Sequence, residues 1–335
     1  MVKQRIEYID AMRGFTMILV VYSHICHFCL EDSRMGGNAF FLLFRLPCFF
    51  MISGWLFEQR ALRPFKEVAK HKSLVLLLPT FIFLLLLAPP PFFFHQLGAM
   101  KGGYWFTFAL FEFFILYMIM VRASRRWAPI FTIALTLATF IYSRYYYGIR
   151  LSADKHLSML MDFLGFLGVI TWRYFIFFYL GTWIRRNFET FIRWTSKPAV
   201  IGLITVAFFL IACTSHHDNL LFEIFRFYGG GITGMIMVFC FFRLSASWLQ
   251  RIHLSKPLQY VGTRTLDIYL LHYFFLPRFL MPYAGLLQNY NNSAIEFVVI
   301  LSIALLVLSV TLLASYVIRL NHFLGRYLFG IKYNK

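Results

Sequence analysis

YIDAMRGFTMILVVYSHICHFCL, residues 8–30, is long and apolar enough to cross a bilayer, yet it carries Asp10, Arg13, His24 and His27. A titratable side chain at membrane depth is costly, so such residues point to function. Arg13 and His24 are eleven residues apart. At ~100° and ~1.5 Å per residue both project from one helix face, ~16 Å apart along the axis. This places a histidine deep in the membrane and an arginine near the inner mouth beneath it.

The rest of the chain fits that setting. It has 335 residues, 60% hydrophobic and 20% aromatic, with a mean hydropathy of +0.68. Charged residues make up only 14%, against roughly 25% in a soluble domain. The expectation is therefore an all-α integral membrane protein, a single transmembrane domain over 1–335. A net charge of +18 invites a nucleic-acid reading. The charges cluster in short segments between apolar runs, however, as cytoplasmic loops require, so nucleic acid is excluded and the lipid bilayer is the partner. Five cysteines, all in or beside apolar runs, give no disulfide framework. Cys26 and Cys29 form a C-x-x-C beside His24 and His27, but one helix supplies few usable ligands and they read as small apolar helix residues, with no metal. The first apolar run, flanked by Lys3 and Arg5, reads as a span rather than a cleaved signal.

Ten spans are expected, at 12–30, 38–57, 73–94, 103–121, 128–147, 170–185, 198–214, 224–243, 260–280 and 294–318, the sixth beginning at 170 or earlier, near Met159. With the N-terminus inside, 22 of the 32 Lys and Arg fall on inner segments and seven on outer ones. That asymmetry supports ten crossings with both termini cytoplasmic. Pro89-Pro90-Pro91 is expected to end the third span, and the outer segment 148–169 to form an amphipathic or re-entrant element. No internal repeat of the inverted-transporter kind is evident.

Several residues carry candidate chemistry. Asp10 precedes the first helix and can cap it, or pair with Arg13. Arg13 by itself reads as a snorkelling anchor. His24, near mid-bilayer, either bonds a neighbouring helix or serves as a general base, the role imidazole suits best near neutral pH. His272 lies about twelve residues into the ninth span, at similar depth, where it either packs or lines a cavity with His24. In the second span, Pro47 should kink or break the helix, and Ser53-Gly54 allows close approach. Arg45 needs a partner there, with Glu112 a candidate. Trp105 fits an interfacial belt, and equally a stacking surface for a sugar. Arg60, Arg63, Lys66, Lys70, His71 and Lys72 satisfy the positive-inside rule and could also hold a phosphate-rich ligand.

Taken together these motifs resemble the acyltransferase-3 family of bacterial membrane-bound O-acyltransferases, in particular its fucose-4-O-acetylase-like branch. The opening stretch resembles "D-x-x-R-G … H", with Arg13 and His24 at the R-x10-H spacing. RLPCFFMISGWLF resembles "M-P-x-F-F-x-x-S-G" through Pro47, Phe49, Phe50, Ser53 and Gly54. KHKSLVLLLPTFIF, GYWFTFAL (Trp105, Phe106), YFIFFYLGTWIRR (Gly181) and YVGTRTLDIYLLH (ending at His272) resemble later motifs in order. Arg45 and Thr265 depart from the branch, which often has histidine and serine there.

The resemblance implies transfer of an acyl group, usually acetyl from acetyl-CoA, to a hydroxyl of a cell-envelope glycan or lipid-linked sugar, with no bound cofactor. It places the protein in the bacterial cytoplasmic membrane. It implies that His24 and Arg13 are catalytic, His24 as base or as nucleophile. Asp10, Ser53 and His272 would support them, Ser53 or a backbone N–H stabilising the oxyanion. Arg60, Arg63, Lys70 and Lys72 would hold acyl-CoA, and Trp105 would meet the acceptor. A transporter or flippase for a glycan or small solute is the competing reading, because buried Arg13, Arg45, Arg173, His24 and His272 would also suit a conducting path. A catalytically dead sensor on the same scaffold is a third.

Overall fold

The computed structural model describes residues 6–88, 98–152, 154–214, 219–289 and 292–331, and among them no strand occurs. In chain order the helices are α1 (Glu7–Phe28), α2 (Asn38–Phe57), α3 (Phe65–Lys72), α4 (Leu78–Leu87), α5 (Trp105–Ser124), α6 (Ala128–Ser152), α7 (Lys155–Phe166), α8 (Phe175–Arg186), α9 (Phe188–Thr195), α10 (Pro198–Ala212), α11 (Leu220–Leu244), α12 (Ala246–Arg251), α13 (Ser255–Thr263), α14 (Thr265–Phe275), α15 (Ala284–Gln288), α16 (Ser293–Leu320) and α17 (His322–Phe329). Among the described residues, six continuous stretches are long and apolar enough to cross a membrane: Glu7–Phe28, Met35–Arg60, Phe65–Leu87, Trp105–Ser124, Leu220–Leu244 and Ser293–Leu320. Two bent pairs, Lys155–Phe166 with Val169–Arg186 (52°) and Phe188–Thr195 with Pro198–Ala212 (83°), bring the number to eight. The chain is an all-α, multi-pass membrane protein.

Local chemistry explains where the helices depart from expectation. α1 starts earlier than expected: its N-cap is Ile6, without a side-chain cap bond, and Asp10 lies inside the first turn. A carboxylate there still faces the positive end of the helix dipole, which is why the sequence reads equally well either way. Pro47 does not break α2, which runs unbroken through it; a bundle tolerates an interior proline when neighbouring groups satisfy the freed carbonyl. Between α3 and α4 the chain makes a π-turn at Ser73–Leu77, just before Pro79. The wider turn relieves the clash between a proline ring and the carbonyl four residues back. The Pro89-Pro90-Pro91 run lies outside the described residues. The 148–169 segment, expected on the outer side, contains α7, capped by Asp154, whose carboxylate accepts the Leu157 N–H at 2.8 Å. The chain then turns at Gly168, where φ is +78°. The ninth expected span is two helices, α13 and α14, broken at Arg264 and ended where Leu276 turns extended before Pro277.

The chain packs as two compact units, Met1–Ile52 with Phe188–Ile318, and Ser53–Asn187 with Arg319–Lys335. In the first, α1 is buried along most of its length. A Cβ on Gly14 would overlap the Leu258 carbonyl oxygen, and one on Gly262 the Asp10 carbonyl oxygen. The two backbones touch there because both positions lack a side chain. Tyr8 and Phe15 meet Phe239 and Phe242 of α11 edge-on or tilted. On α16, Ala304, Val307, Leu308, Thr311 and Ser315 are buried, while Leu306, Leu313 and Val317 are exposed, as a lipid-facing helix requires. Two buried carboxylates brace this unit. Asp267 accepts the Ser315 hydroxyl at 2.5 Å and Glu296 accepts the Gly36 N–H at 2.8 Å.

The second unit has an aromatic core of Phe57, Phe113, Phe114, Tyr117, Phe175 and Phe178. Gly54 lets α2 approach the Phe178 carbonyl. Thr80 donates to the Leu76 carbonyl at 2.6 Å and meets Thr107 at 2.9 Å, joining α4 to α5.

Candidate functional site

His24 and His272, 248 residues apart, lie in the first unit with His24 Nδ1 2.6 Å from His272 Nε2. α1 carries one ring and α14 the other. Their planes differ by 13° and their centroids are 4.9 Å apart. That spacing is about the nitrogen–nitrogen distance plus one ring radius on each side, so the rings meet edge to edge along the hydrogen bond, not face on face. His272 is fully buried and its Nδ1 lies 2.8 Å from the Ile268 carbonyl oxygen, one turn back on α14. His24 is half-buried, so one histidine is sealed in the bundle and the other remains approachable.

The surroundings are aromatic with cations beside them. Tyr273 lies 5.1 Å from His24 and 4.2 Å from His272, ring to ring, and Phe28 lies 5.6 Å from His24. Arg45, 8% exposed on α2, is close enough for its charge to act on His24, Cys26 and Tyr273. Arg278, just beyond α14, acts likewise on Cys29 and Tyr273. A groove of about 400 Å³ opens beside the end of α14, lined by Phe275, Leu276, Pro277, Leu280, Ile303 and Val307. Tyr273 and Phe28 were not singled out from the sequence. The available signal was position: Phe28 is one turn beyond His24, and Tyr273 adjoins His272.

Arg13 and Asp10 ride half-buried on α1, at the turn where α13 presses against it. His27 is exposed and 3.0 Å from the Ser33 hydroxyl. Cys26 and Cys29 are buried free thiols.

The remaining candidates lie in the second unit. Ser53 is half-buried on α2. Arg63 and Lys70 are exposed and Arg60 is half-buried. Lys72 stands over the Phe114 ring at 3.9 Å, an aromatic seat rather than an open one. Trp105 opens α5 and stacks on Tyr174, with centroids 5.7 Å apart at 27°. Glu112, one candidate partner for Arg45, accepts the Trp172 indole N–H at 2.7 Å. A network that sequence reading did not single out gathers on Glu58. It accepts from Tyr117 and pairs with Arg125 at 3.1 Å and Arg186 at 3.4 Å.

The described family to which the chain matches is the acyltransferase domain family, over residues 6–320. No curated protein and no solved structure matches the chain significantly.

Proposed function

The chain belongs to the acyltransferase-3 family, and from that premise we propose that it is a membrane O-acetyltransferase of the fucose-4-O-acetylase-like branch. It takes an acetyl group from acetyl-CoA and places it on a hydroxyl of a cell-envelope glycan or lipid-linked sugar. The observation that carries this reading is the hydrogen-bonded pair His24–His272, with one ring sealed and the other approachable. Buried imidazole in an apolar bundle suits proton transfer or acyl transfer at neutral pH. His24 is the base or nucleophile, and Arg13 orients the site or holds the donor. Arg60, Arg63 and Lys70 hold the donor's phosphates, Lys72 joining them only by leaving its seat over Phe114, and Trp105 stacks on the sugar. The groove beside α14 favours the lipid-linked form of the acceptor, since its lining matches a hydrocarbon chain.

The whole chain acts as one domain in the bacterial cytoplasmic membrane with both termini inside. Ten crossings result when α6 and the α13–α14 pair are added to the six single helices and two bent pairs.

Purified protein with labelled acetyl-CoA should release CoA only when acceptor is present. His24→Ala should lower that rate by about 10²–10⁴-fold while the protein remains folded. Full transfer by His24→Ala refutes the role of His24. Absence of acetyl-CoA binding by the wild type turns the reading toward a transporter.

A further inference from the structure

We infer that His272 is a positioning residue that holds His24 in a single tautomer, with the proton on Nδ1 and the reacting lone pair on Nε2. This rests on the transfer reading and specifies the atom that carries it. The Ile268 carbonyl oxygen can only accept, so His272 Nδ1, 2.8 Å away, carries a proton. A neutral imidazole has one N–H, which leaves His272 Nε2 as a lone pair. That lone pair faces His24 Nδ1 at 2.6 Å, so His24 carries its proton there. Nε2 of His24 is left as the free lone pair, at the edge of the ring away from His272. The nearly parallel, edge-to-edge rings put the shared proton in the plane of both, the geometry a strong hydrogen bond needs.

A carbonyl–histidine–histidine chain thus does what a carboxylate–histidine pair does elsewhere: it fixes the tautomer and steadies the cation that forms. A neutral ring suits a bilayer interior, where an anion is costly. The nearest carboxylate on the same helix, Asp267, is engaged with Ser315.

On the base route the acceptor hydroxyl gives its proton to His24 Nε2 and its oxygen bonds to the thioester carbonyl carbon. The C–S bond then breaks, and the CoA sulfur leaves with the proton from Nε2. On the nucleophile route Nε2 itself bonds to that carbon, the C–S bond breaks with the CoA sulfur leaving as thiolate, and the acceptor oxygen then displaces Nε2, its proton going to the thiolate. Both routes need the lone pair on Nε2.

The test pairs kinetics with the ¹⁵N spectrum of histidine-labelled protein in detergent, with His24 assigned by loss of its signals in His24→Ala. The wild type should show His24 Nδ1 protonated and Nε2 unprotonated. His272→Leu, which offers no acceptor, should mix the tautomers and lower kcat by about 10²–10⁴-fold with KM nearly unchanged. His272→Gln, whose carboxamide oxygen reaches the place of Nε2, should restore at least about ten-fold of that loss. If His272→Leu fails to fold, the wild-type spectrum and His272→Gln still decide. A proton on His24 Nε2 in the wild type, or wild-type kcat in His272→Leu, overturns the inference and leaves the transfer reading standing. The expected spectrum in a protein that transfers no acetyl group overturns the transfer reading instead.

Discussion

Lys101 sits in the loop before α5 with a backbone φ of +48° and only 3% of its surface exposed. A left-handed lysine is uncommon, and its side chain is what holds it there. The ammonium donates to the Phe166 carbonyl at 2.5 Å and lies 3.5 Å from that of Gly165, at the C-terminal end of α7 where a cation is favoured. Burial nevertheless pushes the amine down to about 8 from 10.5, with Glu112's charge working against that fall. Above about pH 8 the folded protein holds the neutral amine, while the unfolded chain keeps its proton up to about 10.5. The unfolded state then binds more protons, so this group's contribution to stability rises through that window. Melting of wild type and Lys101→Met in detergent should diverge in favour of wild type from pH 8 to 10.5, by on the order of 3 kcal/mol in all; a pH-independent difference refutes it. Residues of this kind are not legible in a sequence. His24 and Arg13 stood out because their charge was anomalous for an apolar run. Nothing in the sequence sets Lys101 or Glu58 apart, because what distinguishes each is a partner about sixty residues away.

Gly14 and Gly262 decide how close α1 and α13 can lie. An alanine at either would drive Cβ into a backbone carbonyl, of Leu258 or Asp10, which cannot swing aside as a side chain can. Gly14→Ala and Gly262→Ala should each cost about 1–3 kcal/mol or more. Because Asp10 and Arg13 ride on the same turn, transfer should fall with stability. Gly202→Ala on α10 meets open space and should instead stabilise by up to about 1 kcal/mol. Equal melting temperatures for all three variants would show that the helices separate at no cost. The long apolar elements, α1, α2, α5, α11 and α16, were readable because twenty apolar residues leave few alternatives. The bends were not. Gly168 turns the chain where a Cβ would strike the Glu112 carboxylate, and α13 parts from α14 at Arg264, two residues beyond Gly262. The contact at Gly168 is a tertiary one, and Gly262 reads as one more small residue inside an apolar run; Asp10 was misplaced as a cap because the first turn welcomes a carboxylate as readily.

Topology turns on α6. Its 25 residues are long enough to span, yet it carries Arg144 and Arg150 and is not among the helices apolar enough to cross. If α6 and the α13–α14 pair both stay out of the membrane, eight crossings still return the C-terminus to the inside, so the termini cannot distinguish the two arrangements. The segments between can. With eight crossings Arg185 and Arg186 would face outward, as would Arg243, Arg251, Lys256 and Arg264, against the bias that orients membrane proteins. With ten they lie inside. Cys213 ends α10 between these groups and is the exposed cysteine of the five, the other four being buried. Ten crossings put it outside and eight put it inside. A membrane-impermeant maleimide added to intact spheroplasts should therefore label the wild-type protein at Cys213, and Cys213→Ser should abolish the labelling. Labelling that appears only after the membrane is opened would remove α6 from the bilayer and return those cations to the outer side. The distribution of Lys and Arg would then not set this chain's orientation.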